Sequence, residues 1–72
     1  MESERVIVES LRSTGVVDLW MEKGRDYKGE ASVRELQQRV LAIMRKAGLS
    51  PDNARFFTKE EDEQQIIVTV TC

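Results

Sequence analysis

The stretch SVRELQQRVLAIMRKAG, residues Ser32 to Gly48, decides the fold. Ser32 is placed to cap a helix, and Glu35 three residues on completes an S-x-x-E capping box. Val33, Leu36, Val40, Ile43 and Ala47 then recur at gaps of three and four, on one helical face, and Met44 widens the stripe. Gly48 follows as a left-handed terminator, Leu49 as its apolar partner, and Pro51 blocks continuation. A helix of about sixteen residues is marginal alone in water, so its apolar face demands cover. The flanking segments must supply it.

Both flanks read as strands. Met1–Glu4 is polar and expected to fray. Arg5–Leu11 carries the β-branched run Val6, Ile7 and Val8, the composition of a strand. Arg12–Gly15 is a turn, and Val16–Glu22 alternates, with Val17, Leu19 and Met21 on one side and Asp18 and Trp20 on the other. Together they predict a hairpin. Lys23–Ala31 is a loop into the helix. Beyond it come a turn at Ser50–Asn53, a short strand at Ala54–Thr58, a charged loop at Lys59–Gln64 and a final strand at Gln65–Cys72. The expectation is one α+β domain spanning residues 1–72, of order ββαββ, with a four-stranded sheet and one helix packed on one face. Its inward set is Val6, Val8, Val17, Leu19, Met21, Leu36, Val40, Ile43, Met44, Phe56, Ile66, Val68 and Val70.

Chemistry is sparse. The chain has 11 basic and 13 acidic residues and a net charge of −2, too balanced for nucleic-acid binding by bulk charge. Histidine, the commonest general base and metal ligand, is absent. The single cysteine, Cys72, has no partner to activate it. The acids Glu60, Glu61, Asp62 and Glu63 crowd a solvated hairpin tip without EF-hand spacing. No enzyme, metal site or cofactor is expected. With no long apolar run and no signal-peptide pattern, a cytoplasmic protein without a membrane span is the expectation.

One resemblance refines this. Gly48-Leu49-Ser50-Pro51-Asp52-Asn53-Ala54-Arg55-Phe56-Phe57 resembles the passage of the ubiquitin-like β-grasp family in which the helix ends at Gly, a Pro-Asp turn follows and an Arg opens the next strand. The element order read above is also that of the family. The chain ends Val70-Thr71-Cys72 instead of Gly-Gly, so conjugation and sulfur carriage do not carry over. What the resemblance implies is a binding module that works through its surface.

Alternation turns Ile7, Trp20, Phe57 and Ile67 away from the helix, one from each strand, as a row across the open sheet face. In the family, partners dock on an apolar patch of that face, and Phe57 and Ile67 fall in the corresponding region. The function expected is a non-catalytic protein-binding module (adaptor, inhibitor or accessory subunit). Its occupant is a protein partner or a second copy of the chain. The alternative is a nucleic-acid or anion contact by Arg34, Arg39, Arg45 and Lys46, which lie outside the apolar stripe of the helix.

Overall fold

The computed structural model describes residues 3–72, in the order α1 (Glu4–Ser13), β1 (Val16–Glu22), α2 (Glu30–Lys46), one turn of 3-10 helix (Pro51–Asn53), β2 (Arg55–Glu60) and β3 (Gln65–Thr71). Met1 and Glu2, part of the segment expected to fray, lie outside the described residues. The α+β class holds, but the ββαββ order does not. Among the described residues the sheet has three strands, ordered β1-β3-β2 and antiparallel throughout, with two helices.

The correction lies in the segment expected to be the first strand. Ser3 accepts the Val6 N–H on its hydroxyl at 3.3 Å, the N-cap of a helix, with Glu4 in the first turn against the helix dipole. Ile7 and Leu11, one turn apart, are both buried, while Arg5 and Glu9 pair on the outside at 3.2 Å. Helical spacing therefore collects Ile7 and Leu11 where strand alternation would have collected Val6 and Val8. Val6, assigned inward by alternation, is 41% exposed, and Val8 is half-buried at the edge of the core. β-Branched composition yields to the cap and to what the neighbouring elements bury.

α2 begins earlier than its capping box suggested. Gly29 is the N-cap residue, with φ 130° and ψ −176°, a region essentially reserved for glycine. Ser32 sits in the first turn, and its Oγ accepts the Lys28 N–H at 2.9 Å. It thus performs the backward half of a capping box that the sequence pattern assigns to Glu35. The other end follows expectation. Gly48 has φ 78°, the Leu49 N–H donates to the Met44 carbonyl at 2.8 Å and the Gly48 N–H to the Arg45 carbonyl at 3.1 Å, a Schellman termination.

Both helices cover the same sheet face. Ile7 and Leu11 of α1 and Leu36, Val40, Ile43 and Met44 of α2 meet Val17, Leu19, Met21, Val68 and Val70 in one buried cluster. α1 crosses the C-terminal turn of α2, where Arg12 donates to the Ala47 carbonyl at 2.6 Å and Glu4 pairs with Lys46 at 3.6 Å. A cation on the last carbonyls satisfies groups that every helix end leaves open. β2 is the least covered strand, with Phe56 its one residue packed against the core.

Candidate functional site

The sheet face opposite the helices is assembled by register. Trp20 stands opposite Ile67, and Ile67 opposite Lys59; in the next row Asp18 stands opposite Thr69, and Thr69 opposite Phe57. Directly opposed side chains touch, and diagonal neighbours, about 7–8 Å apart, remain within reach of aromatic rings. Trp20, Ile67 and Phe57 thus form one apolar group across all three strands. Thr69 Oγ1 donates to Asp18 Oδ1 at 2.6 Å beside it, pinning the polar pair of the neighbouring row.

Trp20 is 44% exposed and Phe57 57%, and Ile67 between them is half-buried. Partial burial of Ile67 follows from its place on the central strand, with the Trp20 ring opposite on one side and Lys59 opposite on the other, Phe57 lying on the diagonal. Ile7, expected in this row, is corrected. It lies 1% exposed in the core on α1, on the other side of the sheet, because the segment that carries it is helical. Three residues of the expected row therefore come together and the fourth does not.

The basic residues of α2 are all exposed. At 100° per residue, Arg34 and Arg45 fall about 20° apart, as do Arg39 and Lys46, but the two pairs are separated by more than about 100°. They make two stripes. Each stripe has one member beside an acid, Arg34 at 3.9 Å from Glu30 and Lys46 at 3.6 Å from Glu4. That leaves a dispersed charge, unlike the continuous track that a phosphate backbone needs.

Several other charged groups serve the scaffold. Lys23 pairs with Glu60 and Lys59 with Glu61, while Asp62 Oδ1 accepts the N–H groups of Gln64 and Gln65 and so shapes the β2–β3 turn. Asp26 Oδ2 accepts the Glu22 N–H at 3.0 Å; that bond, and then Arg25, hold its carboxyl below the ordinary range. A groove of about 430 Å³ between α1 and α2 is walled by Val8 and Ile43, but the cations on its rim, Arg12 and Lys46, are already engaged. Among the described residues, no three His, Cys, Asp or Glu side chains stand together as a metal site, and no helix is long and apolar enough to cross a membrane.

Periodicity alone could find Trp20, Phe57 and Ile67; the helical state of Ile7 was signalled by Ser3, Ile7 and Leu11 taken together. Compared with family models, with curated proteins and with solved structures, the chain has no match in any of the three.

Proposed function

We propose that this chain is a non-catalytic binding module, an adaptor, inhibitor or accessory subunit working in the cytoplasm, that docks a partner protein on its open sheet face. The observation that carries this is Trp20, 44% exposed and set directly against Ile67 with Phe57 on the diagonal. Contiguous apolar groups with an exposed tryptophan are costly to leave in water and are enriched among residues that dominate binding energy. Both helices lie on the other face, so a flat partner surface would meet no obstruction from them. Docking on an open sheet face is also the mode of the ubiquitin-like family, and it is the part of that resemblance retained here.

The test is capture from an extract of the source cell on immobilised chain, with wild type and Trp20→Ala side by side. Loss of a buried tryptophan anchor weakens a partner about 30-fold or more, so one that binds the wild type should vanish from the variant. The variant's melting temperature should stay within a few degrees of wild type. A partner held equally by both chains would place the interface elsewhere.

A further inference from the structure

The two edges of the sheet are not alike. In an antiparallel ladder, alternate residues turn their main-chain N–H and C=O toward the neighbouring strand and the others turn them away. The Lys23 N–H donates to the Gln64 carbonyl and the Cys72 N–H to the Gly15 carbonyl, which fixes the odd-numbered residues of β1 as those facing β3. The free edge of β1 therefore belongs to Val16, Asp18, Trp20 and Glu22. It is stopped at both ends. Thr14 Oγ1 accepts the Val16 N–H at 3.3 Å, and its one proton lies between the Ser10 carbonyl at 2.8 Å and the Val16 carbonyl at 3.1 Å. Asp26 Oδ2 takes the Glu22 N–H, and the Glu22 carbonyl accepts the N–H groups of Asp26 and Tyr27 at 2.8 and 3.1 Å.

β2 has no such stops. The Glu61 N–H donates to the Gln65 carbonyl, so Arg55, Phe57 and Lys59 face β3 and the main-chain groups of Phe56, Thr58 and Glu60 point outward. None of these outward groups has a partner among the described residues. The strand contains no proline, and its register runs unbroken from Arg55 to Glu60; the edge defence it does carry is charge, in Arg55, Lys59 and Glu60, so any occupant must complement those charges.

We infer that a second copy of this chain occupies the β2 edge, paired antiparallel about a twofold axis at Thr58, to give a continuous six-stranded sheet. The charges select the occupant and the register. For the two sheets to share faces, opposed residues must both be odd-numbered or both even-numbered. An axis at Phe57 would oppose Arg55 to Lys59, and one at Lys59 or at Glu60 would oppose that charged residue to itself; like charges directly opposed destabilise. An axis at Phe56 would set Arg55 against Phe57 and form no ion pair across the seam. An axis at Thr58 opposes Arg55 to Glu61 and Phe57 to Lys59 on the open face and Phe56 to Glu60, itself paired with Lys23, on the helix side, each twice by symmetry, with Thr58 against Thr58. Arg55 makes no ion pair within its own chain among the described residues, and Glu61 has only the Lys59 ammonium, at 3.8 Å. This interface goes beyond the open-face reading, because it uses the edge of the sheet and leaves Trp20 free.

The test is sedimentation of the full chain from low micromolar to several hundred micromolar. Wild type should pass from monomer to dimer. Thr58→Pro removes an outward N–H and spares the ladder to β3, so it should stay monomeric with an unchanged circular dichroism spectrum. Glu61→Arg opposes like charges at two symmetric positions and should raise the dimer dissociation constant about tenfold, while Arg55→Glu combined with Glu61→Arg should restore it. Trp20→Ala should dimerise like wild type. A wild type that stays monomeric overturns the inference, as does a dimeric Thr58→Pro or a charge swap that fails to restore. Dimer loss in Trp20→Ala would move self-association to the open face. Should Thr58→Pro not fold, the charge swap decides by itself. A monomer that binds a foreign partner, losing it in Thr58→Pro, would give the edge to another protein's strand and also overturn the second copy.

Discussion

Replacing Ile7 by alanine tests the helical assignment of the N-terminal segment with opposite signs at neighbouring positions. Ile7 is 1% exposed and among the largest fully buried side chains. Truncation to alanine removes three carbons, about 2.4 kcal/mol of transfer energy at 0.8 per methylene, and the cavity left brings the loss to about 3–4 kcal/mol. A 72-residue chain has a total stability of about 4–11 kcal/mol, so the variant gives up a large share of it. Its melting temperature should fall by about 12 °C or more. Val6→Ala does the reverse: Val6 is 41% exposed on the helix, and alanine, the better helix former, should leave stability unchanged or raise it by about 0.5 kcal/mol. Urea titrations followed by circular dichroism, with midpoints compared at constant slope, measure both. A strand at this position requires Val6→Ala to be the damaging change and Ile7→Ala the mild one. That outcome would refute the helix and return Ile7 to the open face.

Three further outcomes follow from local geometry. Gly48→Ala places a side chain at φ 78° in the Schellman turn and should cost about 1 kcal/mol in the same urea assay, the usual penalty for a left-handed residue with a Cβ. Ser32→Ala removes the acceptor of the Lys28 N–H and should also cost about 1 kcal/mol, by loosening the entry to α2 instead of removing an N-cap; amide exchange at Lys28 should quicken in parallel. The Asp26 carboxyl is held below its ordinary range by the Glu22 N–H and by Arg25. Its contribution to stability is therefore full above the ordinary carboxylate pKa, near 3.9, and is lost as pH falls through the lower folded value. Urea midpoints between pH 2 and 6 should show a shallower acid limb in Asp26→Asn than in wild type.

Much of this architecture is legible from local patterns. Alternation in VVDLWME set the bounds of β1 and the outward place of Trp20; alternation in QIIVTV did the same for Ile67 in β3. The Gly48-Leu49-Ser50-Pro51 run encodes the end of α2 because the Schellman bonds depend on a few adjacent residues. RVIVESL misleads because three β-branched residues in a row satisfy a strand by composition. A buried helix stripe needs only Ile7 and Leu11, and Ser3 signals the cap only if the polar N-terminus is not dismissed as frayed. The start of α2 was displaced for a related reason, since Ser32 and Glu35 match a capping box while Gly29, three residues earlier, has the backbone freedom to turn the chain in. The stopped ends of the β1 edge and the open edge of β2 were beyond sequence reasoning. Both depend on strand order and hydrogen-bond parity, which only the paired sheet defines.

The most direct test of the open-face account is the fluorescence of Trp20, the only tryptophan in the chain. In the free chain its exposed ring should emit at long wavelength and be readily quenched by acrylamide. When a purified partner lacking tryptophan is titrated in, emission should shift to the blue and quenching should fall in proportion to complex formed, with the same midpoint as an independent binding isotherm. Complex formation with the Trp20 spectrum and quenching unchanged would mean that the partner sits elsewhere, and would contradict the assignment of this face as the binding surface.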